Sequence, residues 1–232
     1  MKRLTLAVVA LAAISLPACA IRPAEMARPA SLTSASATPI TGIGGGERGS
    51  FAVGRNAGQF QRSAQELSFF GLFNMKDGGA SFTLQGADFA QGLQAACTMR
   101  ERSVTIDIVE FKPAPMALGC DIRLGGQPAP AVLEIQESAP DFTNRQQRRG
   151  VVMIEGVRLD IRSVHDMDGG ILPAAAPLGY VFERNGVAVG GVDINGGPAM
   201  IASQGLDAAE HRAIMLASVA LSVFWDPANL EI

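Results

Sequence analysis

Side chains that carry chemistry are scarce in this sequence. Its 232 residues include two histidines, three cysteines, one tyrosine and one tryptophan, and only 18% are charged. With so little imidazole and no G-x-S-x-G motif, nucleophilic catalysis has little support. No glycine-rich loop has phosphate-binding spacing. There is no basic excess either. The formal net charge of −3 argues against nucleic acid as a partner and against electrostatic capture by anionic lipid. No apolar run approaches the roughly 20 residues that span a bilayer. Nothing in the residue pattern assigns a catalytic residue, a metal ligand or a cofactor.

The N-terminus carries the clearest signal. Lys2 and Arg3 precede an apolar run, Leu4 to Leu16, interrupted only by Thr5 and Ser15. This run is too short to span a membrane and has the form of a signal-peptide core. Leu16-Pro17-Ala18-Cys19 follows at once. It resembles the lipobox of bacterial lipoproteins, in which a small residue precedes the cysteine that receives the lipid; Pro17 stands where a small residue is usual. The resemblance implies removal of residues 1–18, lipidation at Cys19 and a periplasmic location in the cell envelope, with the lipid bilayer as the first partner. Ala20 replaces the aspartate that would resemble an inner-membrane retention signal, which favours the outer membrane. The alternative is an ordinary cleaved signal peptide with an incidental Cys19. Loss of Lys2 and Arg3 takes the net charge from −3 to −5.

Residues 19–56 are rich in Ala, Pro, Ser, Thr and Gly, as in Ser31–Thr38 and Gly42–Gly46. Such composition buries too little apolar area to offset its ordering entropy. It reads as a flexible, lipidated tether with an end-to-end distance of roughly 30 Å. About 175 residues (57–232) then remain, enough for one domain with a real core. Two cysteines remain there, Cys97 and Cys120. In an oxidising compartment an even pair suggests a disulfide, adding about 3 kcal/mol in the chain-entropy model. The alternative is two buried thiols.

The domain reads as about ten to twelve short strands with frequent turns. Asp77-Gly78-Gly79 separates Leu67–Asn74 from Ala80–Gln85. Ser103–Ile108 alternates in polarity. Gly125-Gly126 precedes Val132–Ile135. Glu155-Gly156 joins Val151–Ile154 to Val157–Ser163. Asn185-Gly186, between Tyr180–Glu183 and Val187–Ile194, is the strongest hairpin signal, because a type I′ turn needs two residues that tolerate positive φ. Asn195-Gly196-Gly197 leads to Ala199–Ala202.

The exception is the C-terminus. Asp207 and Glu210 have capping-box spacing. Ala213 to Trp225 then reads AIMLASVALSVFW, and Pro227 ends it. This helix has no polar stripe, so it must be enclosed on all sides. Eight strands leave room only for side chains, whereas about eleven can hold a central helix. The expected fold is therefore mainly β: an antiparallel closed barrel around a buried C-terminal helix. The alternative is a β-sandwich with the helix packed on it. The layout, carried by Gly179–Ile194 (GYVFERNGVAVGGVDI) and Asp207–Trp225, resembles the tubby C-terminal clan, which includes the phospholipid scramblases and LURP-one proteins. That resemblance implies a twelve-stranded barrel wrapping the helix. Tubby proteins bind phosphoinositides through a basic surface, and no matching basic set is found here.

Remaining candidates are few. Val164 to Gly170 places His165 beside Asp166 and Asp168, which could serve a metal but is also plain turn chemistry. His211 reads as a solvated residue of the first helical turn. Arg145, Arg148 and Arg149 form the one basic cluster of the domain, an anion or headgroup contact or else a solvated loop. Phe69, Phe70, Leu72 and Phe73 are core or a docking patch for a partner or acyl chain. Two functions remain. One is a non-catalytic binding or scaffold domain for lipid, peptide or another envelope protein, which a filled barrel favours. The other is a hydrolase or transferase, which a pocket of convergent polar groups with perturbed pKa favours.

Overall fold

In the computed structural model, which describes residues 25–69, 73–106, 109–138 and 145–225, the chain forms an up-and-down barrel. The strands are β1 (Ser36–Thr41), β2 (Arg48–Val53), β3 (Asn56–Phe69), β4 (Phe73–Gly86), β5 (Leu93–Ile106), β6 (Val109–Leu124), β7 (Gln127–Pro128), β8 (Val132–Glu137), β9 (Arg148–Ile154), β10 (Val157–Val164), β11 (Gly179–Arg184), β12 (Val187–Asp193) and β13 (Ala199–Ala202). Each pairs antiparallel with its neighbour in the chain, and β1 closes the ring against β13. The short β7 hangs on β6, whose main partners are β5 and β8. Twelve strands thus make a closed barrel, which excludes the sandwich.

Alternation fixes which face is inside. On β5, Leu93, Ala95, Cys97 and Met99 are buried while Gln94, Ala96, Thr98 and Arg100 are exposed. On β10, Leu159 and Ile161 point in and Arg158, Asp160 and Arg162 point out. A strand whose side chains alternate with period two can satisfy core and solvent together. The hairpins at Glu155-Gly156 (φ 51° and 80°) and Asn185-Gly186 (φ 52° and 79°) turn as their residue types require. Cys97 and Cys120 are direct partners on β5 and β6, and their sulfurs are bonded. Their Cα atoms are 3.9 Å apart, closer than both the 4.4–6.8 Å usual for a disulfide and the roughly 4.5 Å of the nearer kind of opposed antiparallel pair.

The helix α1 (Ala208–Val223) runs inside this barrel. Asp207 accepts from the Glu210 N–H at 2.8 Å and Glu210 returns the bond to the Asp207 N–H at 3.0 Å, completing the capping box. Every residue from Ala213 to Phe224 is buried. The helix touches β3, β4, β9, β10, β12 and β13. Its two interior serines are satisfied: Ser222 donates to the Ser218 carbonyl at 2.7 Å, and Ser218 to the Gly191 carbonyl at 3.5 Å. A Cβ at Gly190 would come within 2.6 Å of Ile214 Cδ1, so β12 can approach the helix only because that residue is glycine.

Three expectations are corrected. The tether reading fails from residue 26 onward. Met26, Leu32 and Ala35 are buried against Val164, Leu178, Val181, Ala188 and Ile201 on the outside of β11–β13. The chain then becomes β1 and β2, two barrel staves. Composition misled because a strand closing a barrel needs backbone partners more than apolar mass. Second, Asp77-Gly78-Gly79 is not a turn but lies within β4, paired with Gln65, Ala64 and Ser63. A Cβ on Gly78 would sit 3.1 Å from Met99 Cε, so the glycine makes room for a neighbouring side chain. Third, Arg145, Arg148 and Arg149 do not share one solvated loop, since Arg148–Gly150 belong to β9. The lipobox Leu16–Cys19 and the signal segment lie outside the described residues.

Three tests address the enclosed helix and the closed ring. Leu216→Ala or Leu221→Ala should lower the unfolding free energy by about 2–5 kcal/mol in denaturant titrations. Val219→Asp should abolish folding, since the interior offers an ion no partner; a soluble, cooperatively unfolding Val219→Asp protein would contradict enclosure. A chain beginning at Ala57 lacks β1 and β2 and exposes two sheet edges. It should aggregate and show no cooperative thermal transition, while a chain beginning at Glu25 retains one.

Candidate functional site

The two ends of the barrel differ. At the upper end, where α1 begins, charged pairs tie the helix to hairpin turns: Arg184 to Glu210, and Arg212 to Glu155. His211 Nδ1 lies 3.6 Å from the Asp88 carboxylate, at the half-buried surface expected of a first-turn residue. At the lower end, where α1 stops, the inward-facing positions change character. On β5 the apolar series 93, 95, 97, 99 continues as Glu101 and Ser103, both buried. Leu133 and Ile135 on β8 are followed by Glu137, and Phe60 on β3 by Arg62.

These polar groups find one another. Lys112 Nζ is 2.9 and 3.1 Å from the two Glu137 carboxylate oxygens and 3.6 Å from Glu101 Oε1. Such pairing is the condition for keeping charge out of water. Arg148 donates from Nη1 to the Tyr180 hydroxyl at 3.2 Å, and from its backbone N–H to Ser163 Oγ at 2.9 Å. Arg62 closes the lower end beneath the helix. It donates to the Gly46 carbonyl at 3.0 Å, the Val223 carbonyl at 3.3 Å and the Gly44 carbonyl, with its guanidinium 4.6 Å from the Trp225 ring centre. Burial pushes the Arg62 pKa down from its ordinary value. A cavity of about 370 Å³ opens here, lined among others by Arg62, Tyr180, Ser222 and Trp225.

His165 sits beside this layer. Nδ1 faces the Ala174 carbonyl at 3.0 Å, which can only accept, so Nδ1 carries the hydrogen. Nε2 is then free to accept from Ser163 Oγ, also at 3.0 Å. Burial holds the imidazole pKa below its usual value; the Ala174 carbonyl opposes this and the charges of Arg145 and Arg148 add to it. The contact has the form of a nucleophile and its base. However, both side chains are buried, the third group is a carbonyl rather than a carboxylate, and the Arg148 N–H already occupies Ser163 Oγ. Asp193 is a second perturbed group. Burial raises its pKa, offset in part by hydrogen bonds from the N–H groups of Met26 and Asn195, each 2.9 Å away.

The structure does not assemble the candidates as a set. Arg148 points inward and is fully buried, Arg149 points outward, and Arg145 is half-buried. Adjacent strand residues face opposite sides, so the three present no common basic surface. His165, Asp166 and Asp168 also diverge. Asp166 and Asp168 use their backbones to bind residues 25–27, and Gly169 (φ 68°) completes a turn. No group of three or more His, Cys, Asp or Glu side chains among the described residues is placed to hold a metal. Glu101, Lys112, Glu137 and Arg62 were missed by sequence reasoning. A signal was available for three of them: Glu101, Lys112 and Glu137 are charges at positions in register with Met99, Met116 and Ile135 on the inward faces of their strands, whereas the inward face of β3 around Arg62 is itself mixed. The chain matches no family model, curated protein or solved structure among those compared.

The His165 environment sets a pH dependence. Its folded pKa lies below the unfolded value of about 6.5, so the unfolded chain binds the proton first. Stability is complete above about pH 6.5 and falls as pH drops below it, by at most about 1.4 kcal/mol per pH unit. Thermal midpoints between pH 8 and 5 should show this fall in the wild type and a flatter profile in His165→Gln. Identical slopes would mean that another group is responsible.

Proposed function

We propose that the chain is a lipid-anchored envelope protein, acylated at Cys19, whose barrel is a non-catalytic binding or scaffold domain on the periplasmic side of the membrane. The outer membrane is the favoured destination, since Ala20 is no retention signal. The observation that carries the reading is the filled interior. Space that would hold a substrate in an open barrel holds α1, and the polar groups beneath it bond to each other. Exposed faces of the strands carry Arg158, Asp160, Arg162 and similar residues, the inverse of the apolar outer band of a membrane-spanning barrel. Attachment must then come from outside the barrel wall, and Leu16–Cys19 supplies it. The domain's own partner is lipid or another envelope protein.

Replacing Cys19 with Ala should abolish metabolic acyl labelling and release the protein from the membrane fraction. Unchanged labelling and fractionation would refute the anchor. One observation favours the competing hydrolase reading, the contact between Ser163 and His165. A fluorophosphonate probe that labels the wild type but not Ser163→Ala would establish that reading and displace the scaffold.

A further inference from the structure

The lower end of the barrel gathers apolar surface. Six large hydrophobic side chains are exposed among the described residues: Leu67 (54%), Phe73 (53%), Phe111 (55%), Ile171 (97%), Leu172 (79%) and Val187 (57%). Val187 stands in the Asn185-Gly186 hairpin at the upper end. The other five are at the lower end. Phe73 pairs with Val104, and Val104 with Phe111, making one apolar row across β4, β5 and β6 where these strands run past the rest of the barrel. Directly paired residues share a face. Leu67, paired with Met75, lies on the same hairpin beside that row. Ile171 and Leu172 are on the loop that joins β10 to β11 at the same end.

The described chain also starts there. The Ala27 N–H donates to the Asp166 carbonyl and the Asp168 N–H to the Glu25 carbonyl, both at 2.8 Å, and Met26 bridges Met167. Residues 25–27 are thereby strapped to the loop that carries Ile171 and Leu172. From Cys19 to Met26 is seven residues, a reach of about 25 Å at full extension. Met26 donates to Asp193 at the lower end of β12, whose seven residues cover about 18 Å of the barrel axis when tilted, so the chain from Cys19 joins the barrel on the side of Ile171 and Leu172.

We propose that the lower end is a membrane-contact surface. Phe73, Phe111, Leu67, Ile171 and Leu172 enter the headgroup–acyl boundary of the bilayer that holds the Cys19 lipid. This inference rests on the anchor argued above. The occupant is a lipid surface because the apolar groups sit on separate projections around the point where a lipidated chain arrives. Attraction is apolar rather than electrostatic. The mature charge is negative, and the nearby Arg102 is paired with Asp77 at 3.0 Å. Leaving water is therefore the driving force.

The test uses the full-length chain in phosphatidylcholine vesicles. With Cys19 acylated and Cys97 bonded to Cys120, a cysteine introduced as Phe111→Cys, Leu172→Cys or Val187→Cys is the one free thiol and can carry an environment-sensitive fluorophore. At 111 and 172 the emission should shift to the blue and be mostly lost to a lipid-borne quencher, while at 187 neither should happen. Acylation is read in the same preparations. Acylated, vesicle-bound protein with no quenching at 111 and 172 overturns the contact surface and leaves the anchor standing. Equal quenching at 187 overturns it too, as does a blue shift at 111 before lipid is added, which would mean that a second copy covers the patch. If acylation is absent, the same labels are read in a Cys19→Ala background, where the introduced cysteine is again the one free thiol; quenching at 111 and 172 there means that the anchor falls and the surface stands. If both are absent, both fall.

Discussion

A helix with no polar side cannot meet water, and this one requirement organises the molecule. From Ala213 to Phe224 every side chain is buried, whichever way it points. A helix with its side chains is about 10–12 Å across, more than an eight-stranded barrel can admit. The chain therefore needs a wider ring, and the wider ring needs every stave. That explains why β1 and β13, only six and four residues long, cannot be spared. They are the joint at which the sheet closes. It also explains the second apolar layer outside β11–β13, where Met26 and Leu32 cover Val181 and Ile201. The glycine at 179 belongs to the same arrangement, since a Cβ there would collide with the Met26 sulfur.

Enclosure creates a problem at the helix ends, and the two ends solve it differently. The N-terminus is capped from within its own sequence by Asp207 and Glu210, then held by Arg184. The C-terminus has no basic residue in its last turn. Its carbonyls still need donors and its dipole a cation. Arg62 supplies both from β3, far away in sequence, by donating to the Val223 carbonyl while lying over Trp225. The polar residues below the helix follow from the same geometry. Once α1 stops, inward-facing positions have no apolar partner to meet, and paired charges such as Lys112 with Glu137 can fill the layer.

Legibility in the sequence followed how local each cause was. The helix, its capping box and the hairpins at Glu155-Gly156 and Asn185-Gly186 depend on residues within a few positions of each other, and all were readable. Enclosure was readable because thirteen residues without a polar stripe admit few architectures. What failed was non-local. Asp77-Gly78-Gly79 has turn chemistry, yet Gly78 answers to Met99 on another strand. Residues 26–53 look like linker, because their order comes from β13, β11 and β12 rather than from their own composition. Arg148 looked like a surface cation, because its neighbours in sequence are polar while its neighbours in space are Tyr180 and Ser163. Strand parity would have corrected that last reading, since Arg148, Val152 and Ile154 share a face.

The shortened leader changes what an anchor at Cys19 can do. A free linker of more than thirty residues would uncouple the domain from the membrane, leaving every face to sample the surface. A seven-residue leash does the opposite. With Cys19 acylated as proposed, it would keep one end of the barrel near the lipid and hold apolar side chains at that end at high effective concentration beside the bilayer. Contacts too weak to recruit a free domain then suffice to orient a bound one. That orientation would turn the upper end and the barrel wall away from the bilayer; there the polar outward faces of β2–β5, rich in Gln59, Gln61, Thr83 and Gln94, form a groove. The packing of Met26 against β11 and β12, outside the barrel, is thus what sets where a chain leading from the proposed anchor joins the domain.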